Sequence, residues 1–305
     1  MNASASASAR AAGPRLVVFG CGYVGAATAA WAQARGATVT ALTRNPATAA
    51  ALRAAGIEVV VADLAGSDWH AAIPGGAEWV LNSVSSGGGG IDGYRRSYVE
   101  GTRSVVAWAR SAGGIGTLVY TGSTSVYPQG DGAAVDETAP TDAAGERPGL
   151  LLAAEAAVRG AEAEAGCRRS FVLRLAGIYG PGRHHVLDQL RSGAGEIAGA
   201  GSHRLNLVHR DDIVGAIAAC FLARPEQGGG IFNVADDAPA PKAEVVAWLA
   251  GRLGVPVPRF TGEPAGGRRA VTPDRIIVNR RAREVLGWVP RYPSYREGYA
   301  KLLSH

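Results

Sequence analysis

A chain of 305 residues, 47% hydrophobic and 19% charged, has enough apolar material for a full core and for two lobes. Its net charge of +5 comes from basic residues spread along the sequence, not from a clustered stripe with aromatic platforms. That pattern argues against nucleic acid as a partner, and no run is long and apolar enough to span a bilayer, so no membrane partner is expected. The three cysteines, Cys21, Cys167 and Cys220, have neither metal-ligand nor redox spacing. They fit a reducing, cytoplasmic setting, and no metal is expected.

Residues 1–13 are rich in Ala and Ser and read as a disordered tail. A β-prone run, 16–19, then meets an alanine-rich helical run, 26–34, across Gly20-Cys21-Gly22-Tyr23-Val24-Gly25. In such a G-x-G-x-x-G turn the first glycine permits the bend and the second lets backbone approach a diphosphate. The third seats the helix on the strand, and the helix N-terminus offers free N–H groups. The spacing predicts strands over 15–20, 38–42, 57–61, 78–83, 116–121 and 170–175. It predicts helices over 23–35, with Gly36 as C-cap, and over 46–54, 92–112 and 149–165. In the helix 92–112, Tyr94, Tyr98, Val105, Val106 and Ala109 suit one buried face. Alternation of this kind implies an α/β fold: a doubly wound parallel (Rossmann) sheet with a smaller C-terminal substrate lobe. Beyond 176 the pattern loosens. A strand is expected over 204–208 and a helix over 211–223, capped by Asp211. Another strand is expected near 231–234, a helix over 241–253, loop over 255–275, and short helices near 280–286 and 294–303. The expected dinucleotide-binding domain covers 14–175 and receives about 205–235. Residues 176–204 and 236–305 are assigned to the substrate lobe.

An NAD site usually carries Asp or Glu about 20 residues past the glycines, to hold the ribose 2′-hydroxyl. No acidic residue stands between Gly25 and Glu58. Thr43 and Arg44 follow the second strand instead, and a guanidinium there suits a 2′-phosphate. NADP is expected in preference to NAD.

Further pieces fall into a pattern: Val61-Ala-Asp63-Leu64, Val99-Glu-Gly101-Thr102, Val119 to Pro128, Leu173 to Gly182, Leu207 to Val214, and the tail from Val278 to Pro290. With the glycine turn they resemble the extended and atypical short-chain dehydrogenases/reductases of the NAD(P)-dependent epimerase/dehydratase group, including its YeeZ-like subgroup. The resemblance implies that Asp63, with Leu64, meets the adenine and that Ser123 holds a substrate oxygen. It also implies a Tyr-x-x-x-Lys pair whose ammonium tunes the tyrosine for proton transfer. The only lysines are Lys242 and Lys301, and neither follows a tyrosine at that spacing. With Glu155 taken as the acidic residue that often follows the motif, Arg147 and Leu151 occupy the tyrosine and lysine slots. Tyr127 and Tyr179, both after strands, are the candidate replacements. Tyr98, where the group usually has asparagine, and His184, His185 and His209 are further titratable candidates. The expected function is an oxidoreductase or epimerase-like activity on a small carbonyl, hydroxyl or sugar-like molecule. Two alternatives stand beside it: a non-catalytic NADP-binding redox sensor or partner-binding module, and a lyase or isomerase on the same fold. Homodimerisation through helices such as 92–112 and 149–165 is a further possibility that the resemblance brings.

Overall fold

In the computed structural model, which describes residues 13–142, 145–263 and 273–304, the alternating pattern closes into a seven-stranded parallel sheet. Its strands are β1 (Arg15–Phe19), β2 (Thr38–Thr43), β3 (Glu58–Val61), β4 (Trp79–Asn82), β5 (Ile115–Ser123), β7 (Cys167–Leu175) and β12 (Gly230–Val234), in the order β12-β7-β5-β4-β1-β2-β3. Short strands pair outside it. β6 (Ala133–Val135) pairs with β15 (Arg275–Ile277), β8 (Gly177–Tyr179) with β11 (Leu207–His209), β9 (Glu196–Ile197) with β14 (Arg259–Phe260), and β10 (Arg204–Leu205) with β13 (Ala240–Pro241). The order reverses between β1 and β4, each of which pairs with the other through Leu16 and Trp79, while Leu16 also pairs with Val39 of β2. This is the doubly wound Rossmann arrangement, and its switch point sits at the start of the chain's first βα turn.

Alternation along β1 divides the core. Leu16 and Val18 face a cluster built from α1 (Tyr23–Gln33) and α7 (Arg210–Phe221). Val17 and Phe19 face the opposite cluster, with Trp69, α4 (Gly101–Ser111) and α5 (Glu146–Glu164). All four β1 side chains are fully buried, and each such burial stabilises by about 1.5–3 kcal/mol. A third cluster lies apart from the sheet. It joins Leu187 and Leu190 of α6 (His185–Arg191), Val245 and Leu249 of α8 (Lys242–Leu253), and Tyr295 and Tyr299 of α10 (Tyr295–Leu303). Three further helices are α2 (Pro46–Ala54), α3 (Gly90–Tyr94) and α9 (Arg280–Leu286).

Several local expectations are corrected. The helix 92–112 is not uniform: a π-helical turn, Arg95–Glu100, separates α3 from α4. The wider turn shifts the apolar stripe, so Tyr94 packs on the first cluster and Tyr98 on both, while Val105, Val106 and Ala109 fill the second. The strand expected over 204–208 breaks at Asn206, whose amide donates to the Arg275 carbonyl at 2.9 Å and accepts from the Ile277 N–H at 2.7 Å. His209, not Asp211, caps α7: its Nδ1 accepts the Asp211 N–H at 3.2 Å. Gly36 stands two residues beyond the C-cap, Ala34, and supplies the positive φ of 78° that turns the chain into β2. The expected loop 255–275 holds β14 and the first residue of β15, and 264–272 lie outside the described residues, as do 1–12 of the expected tail.

A buried polar network pins β5, β7, β12 and α5 together. Arg174 donates to Glu155 through Nη2 at 2.7 Å and through Nε at 3.1 Å, and to the Tyr127 hydroxyl at 2.9 Å. Tyr127 donates in turn to Asn233 Oδ1 at 2.8 Å. The Arg174 and Glu155 side chains are 5% and 3% exposed, so removing one strands a buried charge. Glu155→Leu is expected to lower the unfolding free energy, read by urea denaturation, by about 3–5 kcal/mol. Adding Arg174→Met should recover most of the loss; a double variant no better than the single one would contradict the pairing.

Candidate functional site

A cavity of about 930 Å³ runs over the carboxyl ends of β1, β2, β3, β4, β5 and β7, across the point where the strand order reverses. The glycine turn forms its floor. Gly20 leaves β1 at a φ of 77°, and a β-carbon there would lie 2.6 Å from Val84 backbone. A β-carbon on Gly25 would lie 2.7 Å from the Gly20 carbonyl oxygen. Gly22 differs, because a β-carbon there would meet nothing within 4 Å. Two of these glycines are thus demanded by the protein's own packing, and the third faces open cavity. No side chain caps α1 and no acidic residue enters its first turn, so its N–H groups and dipole stay available to an anion. Cys21, Tyr23 and Val24 line the cavity beside Gly22. Burial pushes the Cys21 thiol up to about 12, so it fills the turn as a neutral group and is unsuited to a redox-sensing thiolate.

The second wall comes from the end of β2. Thr43 Oγ1 accepts the Asn45 N–H at 3.2 Å, and Asn45 Oδ1 caps α2 by accepting the Ala47 and Thr48 N–H groups at 2.8 and 3.2 Å. With Pro46 in the first helical turn, this corner is stiff and presents Arg44 to the cavity. The guanidinium reaches the glycine-rich loop after β4, where a β-carbon on Gly87 would lie 2.5 Å from Arg44 Nη2. Asp63 and Leu64 line the cavity after β3. Burial alone would raise the Asp63 carboxyl. The Ala65 N–H, the Arg96 side chain at 2.8 Å and the charges of Arg96 and Arg44 outweigh it and hold the group below its ordinary value. Leu64 packs where Gly101 lacks a side chain, with its Cδ2 3.1 Å from the position a β-carbon would take.

Ser123 ends β5 and lines the cavity with Thr121 and Gly122. The two proposed replacement tyrosines do not reach it. Tyr127 is turned inward, its hydroxyl engaged by Arg174 and Asn233. Tyr179 is 2% exposed, stacks on Tyr299 at 4.8 Å and belongs to the third cluster. Burial raises the pKa of both phenols and so makes them weaker acids. Arg147 and Leu151 stand one turn apart on α5, and neither lines the cavity. Leu151 is core, and the Arg147 guanidinium lies 5.5 Å from the Tyr94 ring, which sits 5.1 Å from that of Tyr98. Tyr98 does line the cavity, from the π-helical turn. His184 pairs with Asp188 at 2.7 Å, and His209 is buried, with its basicity lowered first by burial and then by Arg210 and Arg291. Among the described residues no three His, Cys, Asp or Glu side chains gather closely enough to hold a metal, and no helix is long and apolar enough to cross a membrane. Sequence reading missed Ser83, Val84, Ser85, Gly87, Ala176 to Ile178, and Arg183 among the lining residues. The Ser/Gly run directly after β4 carried a usable signal, because loops at the carboxyl ends of strands flank the crevice in this fold.

Behind the cavity, two carboxyls are buried where α7, β12 and the C-terminal segment meet. Asp212 accepts the Arg291 and Tyr292 N–H groups at 2.6 and 3.2 Å, yet burial pushes it up to about 6. Burial pushes Asp236 up to about 8, and its Oδ2 has no partner among the described residues.

The model of the NAD dependent epimerase/dehydratase family matches residues 16–235, and the chain belongs to that family. A Streptomyces protein named 3-diazoavenalumate denitrifying reductase is 34% identical over 68% of this chain and 71% of its own. Protein YeeZ of Escherichia coli is 29% identical over 92% of this chain and 96% of its own. The solved structure of MoeE5 in complex with UDP-glucose and NAD superposes with a TM-score of 0.80, at 23% identity, over 95% of this chain and 97% of that one, a likeness of fold.

The three glycines are expected to separate in stability. Gly20→Ala and Gly25→Ala should each lower the melting temperature clearly, whereas Gly22→Ala should leave it nearly unchanged in calorimetry without ligand; equal losses at all three would refute the assignment. Asp236 should give a pH signature. Its folded pKa lies above its unfolded one, so between about pH 4 and 8 the unfolded chain releases the proton first and stability falls as pH rises. Relative to wild type, Asp236→Asn should gain up to about 1.4 kcal/mol per pH unit across this window. A stability difference independent of pH would exclude a raised pKa.

Proposed function

With family membership as the premise, we propose that this chain is an NADP(H)-dependent oxidoreductase acting on a small molecule. The observation that carries the reading is the pairing of the bare Gly22 floor with Arg44 at the end of β2. Gly22, Tyr23 and Val24 would take the diphosphate at the start of α1. Arg44, with Thr43, would take the 2′-phosphate in place of the acidic residue of an NAD site. Asp63 and Leu64 would flank the adenine, and Ser123 would hold the substrate's reacting group. The nucleotide half is assigned 14–175 with about 205–235 and the substrate lobe the remaining segments; the separate third cluster supports this for 179–197, 240–250 and 295–299, whereas Ile277, Ala282, Leu286 and Trp288 pack on the first cluster. A nicotinamide bound here supplies hydride.

The protein side offers no phenol–ammonium pair at Arg147 and Leu151. That favours an acceptor which needs hydride but no proton from the enzyme. The name of the Streptomyces relative contains such a reaction, loss of nitrogen from a diazo compound under reduction. An arenediazonium ion that takes hydride gives the arene and dinitrogen, with no proton in the balance. The same feature supports a second reading, a dinucleotide-binding module without turnover.

The test is a fluorescence titration of the full chain. NADPH should bind at least about tenfold more tightly than NADH, a difference of about 1.4 kcal/mol. Arg44→Asp should abolish that preference. Equal losses for both nucleotides would remove Arg44 from the 2′-phosphate site, and no binding of either would remove the reading. Following nicotinamide absorbance with carbonyl and arenediazonium acceptors then separates turnover from binding alone.

A further inference from the structure

Two guanidinium groups converge on one aromatic ring at the edge of the glycine turn. Arg183 lies 5.7 Å and Arg210 5.4 Å from the ring centroid of Tyr23. Arg210 is matched, because it donates to Asp211 Oδ1 at 2.9 and 3.0 Å. Arg183 has no carboxylate partner and no side-chain hydrogen bond among the described residues, and it lies against the Tyr23 ring. Its backbone is held firmly. Gly180 and Arg183 exchange two hydrogen bonds of 3.0 Å across a turn with Pro181 and Gly182 at its tip, and Gly182 takes the positive φ of 71° such a turn requires. Gly180 is tightly constrained, since a β-carbon there would lie 2.8 Å from the Tyr23 hydroxyl and 3.3 Å from His209 Nε2.

The position of Arg183 in the cavity gives this unmatched charge a direction. Arg44 and Asp63 belong to the β2–β3 side. On the β5–β7 side, where Ser123 and Ile178 stand, Arg183 is the charged lining residue among those described. A guanidinium is planar, permanently charged and matched to the paired oxygens of carboxylate or phosphate. We propose that Arg183 anchors an oxyanion, a carboxylate or a phosphate, carried by the substrate bound at the β5–β7 end of the cavity beside Ser123. The proposal rests on the dinucleotide reading above, which leaves this end for the substrate.

The test uses the full chain with NADPH present, titrated calorimetrically with benzoate and with methyl phosphate. Saturable binding of either anion to the wild type is expected. Arg183→Ala should weaken it about tenfold or more, the scale of one charged hydrogen-bonded contact, and should change NADPH affinity by less than about threefold. Arg183→Lys should recover part of the loss, since it keeps the charge without the fork. A preference for benzoate would identify the carboxylate, and a preference for methyl phosphate the phosphate. Anion binding unchanged by Arg183→Ala, or no saturable anion binding to the wild type, would overturn the proposal. So would a tenfold loss of NADPH affinity in that variant, which would reassign Arg183 to the dinucleotide's own phosphates. Should NADPH fail to bind the wild type, the dinucleotide reading falls, and the same anion titrations on the ligand-free chain decide the role of Arg183 separately.

Discussion

Everything at the cavity depends on a contact of backbone against backbone. The turn at Gly20 touches Val84, and Gly25 lies against the Gly20 carbonyl, at distances that leave no room for side chains. Hydrogen bonds extend this contact past the strand ends: Gly20 N–H to the Leu42 carbonyl at 3.3 Å and Ser83 N–H to the Phe19 carbonyl at 2.8 Å. The loops after β1, β2 and β4 are therefore drawn together before any ligand arrives. They set the uncapped start of α1 at the reversal of strand order, where helix dipole and unpaired N–H groups act on the same point. The alanine-rich α1 serves the same end, because small side chains let it approach the sheet closely.

Charge is distributed across the cavity with a consistent logic. Arg44 stands on a stiff corner at the β2 side, Arg183 on a stiff turn at the β7 side, and the uncapped helix lies between them. Asp63, the acidic lining residue among those described, is already engaged by Arg96. What remains unmatched in this wall is positive. A cavity so arranged favours ligands with anionic groups at intervals.

Much of this was legible in the sequence, because local rules govern it. The glycine turn, the helix start at Asn45-Pro46, the strand runs and the basic residue after β2 are each readable within a few positions. The tyrosines were misread for a different reason. Standing after a strand places a residue near the cavity rim but does not say which way its side chain points. Tyr127 is turned inward by Arg174 and Asn233, which lie 47 and 106 positions away. No local pattern contains such partners. The break at Asn206 has the same origin, since its amide answers β15 some 70 positions on. The π-helical turn that carries Tyr98 was hidden because a 3.6-residue period was assumed throughout the helix.

The network around Glu155 also bears on why the usual proton relay would be difficult to accommodate. Leu151 lies in the apolar core at 4% exposure, so an ammonium at that position would have to be buried. The nearest acidic group along the same helix face, Glu155, is already satisfied by Arg174. A lysine there would find its natural counter-ion taken and would lose its charge sooner than lend it to a phenol. Arg174 cannot substitute as the tuning cation, because its own charge is neutralised by Glu155 and its donor to Tyr127 holds that phenol in the interior. The polar groups that reach the cavity at this end include the hydroxyls of Thr121, Ser123 and Tyr98 and the guanidinium of Arg183. Hydroxyls orient and hold an oxygen or nitrogen well, and an arginine adds a permanent charge that it cannot give up as a proton. Neither position 151 nor Arg174 therefore offers a free cation to tune a phenol, and what these side chains supply is packing and a fixed framework for the cavity wall.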